Sequence, residues 1–190
     1  MYKTVVFDLD GTLLNTLTDL ADAGNRLCRK YGWPTHERQA YRYFVGNGIP
    51  KLVERLAPAD QRTPAVLEAA LADFKRDYGQ HLRDTTAPYP GIPEMLAKLK
   101  ANGVQLAVFS NKADALAKEV VKDYFGTQYF TIVRGQMTGV APKPAAEGTN
   151  ALLQALQADP ASTLYVGDSN VDVETAHNAN LPCCGAVWGF

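Results

Sequence analysis

Residues 4–12 read Thr-Val-Val-Phe-Asp-Leu-Asp-Gly-Thr, an apolar run that ends in two carboxylates, a glycine and a hydroxyl. The β-branched and aromatic residues Val5–Phe7 predict a strand that is buried on both faces, as in a parallel sheet. Asp8 and Asp10 follow at the point where that strand ends. Because open α/β sheets bind ligands at the carboxyl ends of their parallel strands, we expect a functional site there.

The spacing of the two carboxylates indicates the chemistry of that site. Asp8 and Asp10 would repel each other unless a cation lay between them or one of them held a proton. Gly11 allows the backbone to turn, and the neighbouring N–H groups can then point at an anion. The pattern favours a metal-assisted attack on a phosphate.

Composition excludes several classes of protein. The chain has 190 residues, a formal net charge of −1 and a pI near 6.3, which favour neither nucleic acid nor an anionic membrane as a partner. Its apolar stretches are too short to span a membrane, and we expect no signal peptide, because the N-terminus leads directly into a predicted strand. Cys28, Cys183 and Cys184 are too few for a disulfide framework. We expect Cys183 and Cys184 to be buried thiols in a strand, in a cytoplasmic protein.

Two patterns divide the chain. Apolar residues recur at helical spacing from about residue 17 to residue 86, and strands alternate with helices after residue 88. Alternation of this kind predicts right-handed βαβ units in a parallel sheet flanked by helices. The expected domains are an α/β core of residues 1–15 and 87–190 and an all-helical insertion of residues 16–86.

The predicted strands each end in polar side chains. The strand expected at 105–109 is followed by Ser110 and Asn111, and the strand expected at 163–166 by Asp168 and then Asp172. Lys143 lies between two prolines in a segment without periodicity. Since parallel strands end along one edge of a sheet, these groups should meet in one crevice.

This order of motifs resembles the haloacid dehalogenase superfamily of phosphohydrolases. The resemblance is carried by Asp-x-Asp-Gly-Thr, then Ser-Asn, then an isolated lysine, then Gly-Asp-Ser-x-x-Asp, and it covers nearly the whole chain. The helical insertion resembles the C1-type cap of that superfamily. Gly46-Asn47-Gly48 in the insertion and the triplet 110–112 look most like the phosphoglycolate phosphatase branch.

The resemblance implies a role for each site residue. Asp8 is the expected nucleophile, Asp10 the general acid and base, and Lys143 a catalytic cation. The implied cofactor is Mg²⁺, held by Asp8, the backbone carbonyl of Asp10 and Asp168, with Asp172 either a ligand or its support. The phosphate would be held by Gly11, Thr12, Ser110, Asn111 and Lys143.

Simpler interpretations exist for some of these residues. Ser110 is also a possible N-cap of the helix that follows it, and Asp172 is favoured at any helix N-terminus by the macrodipole. The histidines at 36, 81 and 177 lack the spacing of metal ligands. In the insertion, the loop Gly46, Asn47 and Gly48 is expected to approach the substrate. Arg42, Lys51 and Arg55 near it are candidates for a substrate carboxylate or, equally, for a solvated helix face.

The expected function is therefore a Mg²⁺-dependent phosphatase that hydrolyses a small phosphomonoester, phosphoglycolate above all, through an aspartyl-phosphate. Alternatives with the same fold are an inorganic pyrophosphatase and a sugar-phosphate phosphatase or phosphomutase. An alternative from another class is a catalytically silent binding module. The expected partner is a small phosphorylated metabolite, without nucleic acid or membrane, and the protein is expected to be a monomer or homodimer.

Overall fold

The computed structural model describes residues 1–190. The strands are β1 (Thr4–Phe7), β2 (Leu14–Asn15), β3 (Ala87–Pro88), β4 (Gln105–Ala113), β5 (Phe130–Gln136), β6 (Thr163–Gly167) and β7 (Cys183–Gly185). The helices are α1 (Leu17–Tyr31), α2 (Tyr41–Phe44), α3 (Ile49–Leu56), α4 (Pro64–Gln80), α5 (Ile92–Ala101), α6 (Asp114–Phe125), α7 (Ala146–Leu156) and α8 (Asn170–Asn178).

Five strands form a parallel sheet in the order β5-β4-β1-β6-β7, which confirms the predicted α/β class. β1 is the central strand, and all four of its residues are buried. Phe7 pairs with Val108 of β4 and with Val166 of β6. The residues that follow Phe7, Val108 and Val166 therefore lie at nearly the same level and come close together.

Helices α7 and α8 bury one side of this sheet. Their leucines and alanines pack on β1, β4 and β6 in a core that also holds the ring of Tyr165. Burial of apolar area at about 25 cal/mol per Å² is the main stabilising contribution of such a core. The core fixes the strand ends on which the polar residues stand.

β4 is longer than the sequence predicts. We expected it to end at residue 109, but β4 continues to Ala113, which pairs with Gln136 of β5 after a register shift. Gly135 allows this, because a Cβ there would overlap the carbonyl oxygen of Lys112. Ser110 therefore lies inside a strand, and its interpretation as the N-cap of α6 is wrong, since Ala113 occupies that position.

The chain separates into two compact units, residues 1–15 with 88–190 and residues 16–87. β2 and β3 pair where the chain passes from one unit to the other. Apart from Ala87, the first residue of β3, the unit of residues 16–87 contains only helices, turns and irregular segments. It holds a buried carboxylate, Asp19, that accepts hydrogen bonds from the backbone and hydroxyl groups of Thr85 and Thr86.

Cys183 and Cys184 correct a prediction. Both thiols are exposed rather than buried, whereas Cys28 is buried. The reason is that β7 is an edge strand of the sheet and all three of its residues are accessible. None of the helices combines the length and the apolar character that a membrane crossing requires.

Candidate active site

The predicted nucleophile and the isolated lysine meet at the carboxyl edge of the sheet. Lys143 Nζ donates to Asp8 Oδ1 at 2.7 Å and to Asp172 Oδ1 at 2.7 Å. It also donates to the carbonyl of Phe109 at 3.2 Å and to the hydroxyl of Tyr165 at 3.1 Å. The side chain of Lys143 is only 2% exposed, so these partners replace nearly all of its water.

The electrostatics of this pair follow from its burial. Burial and the neighbouring Asp172 raise the pKa of Asp8 to about 8, although Lys143 acts to lower it. Burial alone would lower the pKa of Lys143, but the charges of Asp172 and Asp8 raise it well above its usual value. The ammonium is therefore a permanent cation beside a carboxyl group whose negative charge is costly.

Asp172 has a structural and an electrostatic role at once. Its Oδ2 accepts from the backbone N–H and the hydroxyl of Ser169, which forms a capping box at the start of α8. Its Oδ1 accepts from Lys143, and the Asp172 side chain is fully buried. Asp172 therefore caps the N-terminus of α8 and at the same time contacts Lys143 of the candidate site.

Asp168 is held between two chain segments. Its Oδ1 accepts from the Thr12 hydroxyl at 2.8 Å, and its Oδ2 accepts from the backbone N–H of Phe190 at 3.1 Å. Burial raises the pKa of Asp168 to about 6. The Thr12 carbonyl in turn accepts from the indole of Trp188 at 3.0 Å. Thr12 thus orients a carboxylate, and its contact with phosphate stays a prediction.

Gly11 allows the carboxylate of Asp168 to lie directly against the backbone, and we expect its replacement to destabilise the protein. Its φ is +96°, and a Cβ would overlap the carboxylate of Asp168. We expect Gly11→Ala to lower the free energy of unfolding by ~1–3 kcal/mol and to displace Asp168. Gly103→Ala is the matched control, because φ is +74° there and nothing lies within 4 Å of the added carbon.

Chemical denaturation and Mg²⁺ titration of the two glycine variants measure this difference. Gly103→Ala should show backbone strain alone and bind Mg²⁺ as the unchanged protein does. Equal Mg²⁺ binding by Gly11→Ala would contradict the idea that this glycine protects the position of Asp168.

Asp10 contacts Lys112, a residue for which the sequence predicts no role. Lys112 Nζ lies 3.1 Å from Asp10 Oδ1 and 3.4 Å from Oδ2. The Lys112 side chain is 2% exposed, and that of Asp10 is 21% exposed. A lysine just before a predicted helix is ordinarily solvated, so only the extended β4 strand reveals its burial.

Asn111 and Ser110 shape the segment around the two lysines. The side-chain amide of Asn111 donates to the carbonyl of Lys143 at 3.2 Å and accepts from its N–H at 2.8 Å. This reciprocal pair fixes the lysine loop to β4. Ser110 is buried at the edge of the site, where its hydroxyl accepts from the N–H of Lys112 at 3.2 Å.

Three carboxylates could hold a metal ion. Asp8, Asp168 and Asp172 each place an oxygen so that these atoms lie within 4.8 Å of one another. Oxygen donors of this kind are those that Mg²⁺ prefers. The carboxylates of the site, with Asp10, outnumber the ammonium groups of Lys112 and Lys143 by two. A divalent cation therefore suits the chemistry and the charge of the site.

The loop Gly46-Asn47-Gly48 belongs to the helical unit and is braced from within that unit. Gly46 and Gly48 have φ of +98° and +84°. Arg55 donates to the Phe44 carbonyl at 2.8 Å and to Asn47 Oδ1 at 2.8 Å. Arg55 therefore supports the loop. Another of the three candidate cations, Lys51, is paired with Glu54 at 2.8 Å.

Comparison with known proteins agrees with this geometry. The sequence model of the haloacid dehalogenase-like hydrolases matches residues 5–186. The chain belongs to this family. It is thus an enzyme of a hydrolytic family, as its motif order predicts.

Its relatives carry a more specific name. A phosphoglycolate phosphatase of Thiobacillus denitrificans is 31% identical over 99% of this chain and 84% of its own length. A phosphoglycolate phosphatase of Neisseria meningitidis is 32% identical over 99% of this chain and 81% of its own length. These proteins are phosphoric monoester hydrolases by name, and the similarity extends through both units of the chain.

Solved structures confirm the fold. The crystal structure of a predicted phosphoglycolate phosphatase from Haemophilus somnus superimposes with a TM-score of 0.90 at 28% identity, over 100% of this chain and 87% of that one. The structure of CbbY from Rhodobacter sphaeroides in complex with phosphate gives a TM-score of 0.81 at 21% identity and supports the fold alone.

Proposed function

We propose that the protein is a Mg²⁺-dependent phosphatase that hydrolyses a small phosphomonoester, phosphoglycolate in the first place, through a phosphorylated Asp8. The observation that carries the proposal is the contact of Asp8 Oδ1 with the buried ammonium of Lys143 at 2.7 Å, beside the acidic cluster. The relatives named phosphoglycolate phosphatase support the choice of substrate.

Asp8 acts as the nucleophile in this mechanism. Lys143 fixes Oδ1, which prevents rotation of the carboxylate and leaves Oδ2 to attack phosphorus. The bond from phosphorus to the ester oxygen breaks as the bond to Oδ2 forms. Lys143 and Ser110 stabilise the charge that develops on the phosphoryl oxygens.

Asp10 moves the protons of both half-reactions. It donates a proton to the leaving alkoxide in the first step and takes a proton from the attacking water in the second. Water then adds to phosphorus, the acyl-phosphate bond breaks, and inorganic phosphate leaves with Asp8 regenerated. Lys112 contacts the Asp10 carboxylate from the buried side.

The metal would be held by Asp8, Asp168 and the backbone carbonyl of Asp10. Asp172, whose two oxygens already accept from Lys143 and Ser169, supports the site through Lys143. When bound, Mg²⁺ neutralises the charge of the carboxylates and polarises the phosphoryl group.

Residues 16–87 act as the cap of the site in this proposal. The braced loop Gly46-Asn47-Gly48 has the open backbone that close approach to a small ligand requires, and nothing lies within 4 Å of a Cβ added at Gly46. In the proposed cycle this unit excludes water from the site and determines which leaving groups are accepted.

Phosphate release tests the proposal. Phosphoglycolate, pyrophosphate, sugar phosphates and p-nitrophenyl phosphate are compared with excess Mg²⁺ and with EDTA. We expect release that depends on Mg²⁺ and favours phosphoglycolate. A preference for pyrophosphate or a sugar phosphate would leave the mechanism unchanged and identify a different substrate. Release from none of these compounds by folded protein would favour the catalytically silent binding module.

Mg²⁺ affinity should rise with pH. The metal-free site binds protons because the pKa of Asp8 is raised to about 8 and that of Asp168 to about 6, in both cases chiefly by burial. Mg²⁺ must displace these protons, so its apparent affinity increases between pH 6 and pH 8. Isothermal titration in buffers of different ionisation enthalpy measures the affinity and the protons released. Affinity independent of pH in this range would contradict the assignment of these ligands.

A further inference from the structure

Lys112 is a buried cation that belongs to the triplet 110–112 but has no role in the mechanism described above. Its side chain is 2% exposed, and its ammonium lies 3.1 Å and 3.4 Å from the two oxygens of Asp10. A buried ammonium is expensive unless it is paired, and the charged partner of Lys112 is the proposed proton donor Asp10.

The position of Lys112 is fixed by its backbone. Its N–H donates to the Ser110 hydroxyl at 3.2 Å, and its carbonyl lies against Gly135 of β5, where any Cβ would overlap it. The N–H of Gly135 donates to Asp114 Oδ1 at 3.0 Å, which ties β5 to the first residue of α6. The backbone of Lys112 is thus held by the pairing of β4 with β5, and this pairing fixes the origin of its side chain.

Asp10 has less support of its own. It lies in the turn after β1, and its side chain is 21% exposed, the most accessible of the predicted site carboxylates that form ion pairs. A carboxylate in such a turn can adopt several rotamers. An ammonium that reaches both oxygens of Asp10 restricts the rotation of its carboxylate. Proton transfer to a leaving group requires a carboxylate held in a fixed orientation.

We propose that Lys112 is a positioning residue that holds the Asp10 carboxylate in line with the leaving-group oxygen. The inference rests on the proposed function, because it assigns Lys112 to one half of that reaction. A purely structural ion pair would affect all substrates equally. A positioning role affects most strongly those substrates whose leaving group needs a proton.

The test compares Lys112→Met, Lys112→Arg and the control Lys118→Met. Lys118 is an exposed lysine of the same unit, paired with Asp114 and 57% exposed. Rapid-quench measurements follow phosphorylation of the enzyme by phosphoglycolate, whose alkoxide must be protonated, and by p-nitrophenyl phosphate, whose phenolate leaves without a proton.

We expect Lys112→Met to slow phosphorylation by phosphoglycolate about 10²-fold, the usual contribution of general acid catalysis, while the p-nitrophenol burst changes little. The later hydrolysis step should slow for both substrates, because Asp10 also activates the water. Lys112→Arg should restore much of the loss, and Lys118→Met should match the unchanged protein. Equal losses with both substrates, or no loss with either, would overturn the proposal.

A second measurement does not depend on turnover. Crystal structures of Lys112→Met and of the unchanged protein compare the rotamer of Asp10, and thermal unfolding confirms that the variant is folded. Rotation of the carboxylate supports the inference, and an unchanged rotamer overturns it. If Asp10 rotates but the unchanged protein hydrolyses no phosphoester, the proposed function fails while the positioning of Asp10 by Lys112 stands.

Discussion

Asp8→Asn is expected to lower the rate of phosphate release by at least about 10⁴-fold, as the loss of a nucleophile does in other covalent enzymes. Asparagine has nearly the same shape but cannot form the acyl phosphate. Asp84→Asn, an exposed aspartate that pairs with His81, is the control and should retain full activity. Retained Mg²⁺-dependent turnover in the Asp8→Asn protein would refute the nucleophile assignment.

The same variant should keep its fold and alter the pH dependence of stability. The pKa of Asp8 is raised from 3.8 to about 8, with burial the largest cause, so its contribution to stability is fully present below pH 4 and is lost as the pH rises towards 8. Asparagine does not titrate. The free energy of unfolding of metal-free Asp8→Asn relative to the unchanged protein should therefore increase from pH 5 to pH 8. Chemical denaturation at several pH values measures this difference.

Lys143→Met is expected to have the largest combined effect on activity and stability. It removes a donor from the proposed phosphate site, which costs about 10²–10³-fold in rate. It also leaves the buried carboxylate of Asp172 without the cation that it pairs with, which destabilises the fold by about 3–5 kcal/mol. Equilibrium unfolding and phosphate release measure the two losses separately.

A double-mutant cycle separates the ion pair from the packing of the lysine stem. Lys143→Met in the Asp8→Asn background removes the same side chain where only Asp172 remains charged. Above pH 8, where Asp8 is charged in the unchanged protein, the destabilisation should be smaller in this background, because only Asp172 then loses a cationic partner. Equal destabilisation in both backgrounds would contradict the electrostatic explanation.

The sequence was sufficient to predict the residues that stand at strand ends. Val5–Phe7 has no polar position, so a central buried strand and the placement of Asp8 followed directly from local composition. Asp168 followed from the same argument applied to β6. The arrangement of Lys143 required the motif order, because nothing local indicates that this residue reaches Asp8 across 135 positions of the chain.

The features that local pattern could not predict depend on distant partners. The extension of β4 to Ala113 requires a glycine on β5, and the burial of Lys112 follows from that extension. The exposure of Cys183 and Cys184 follows from the edge position of β7, which only the strand order reveals. The hydrogen bond from the Thr12 hydroxyl to Asp168 also depends on a partner 156 residues away.

The most direct test of the account is to identify the phosphorylated residue during turnover. Enzyme mixed with p-nitrophenyl phosphate and Mg²⁺ is quenched in acid within one turnover, digested, and analysed by mass spectrometry with and without hydroxylamine. The proposed mechanism predicts one phosphorylated peptide, with the phosphate on Asp8 and removed by hydroxylamine. Turnover without a phosphopeptide, or with the phosphate on another residue, would contradict it.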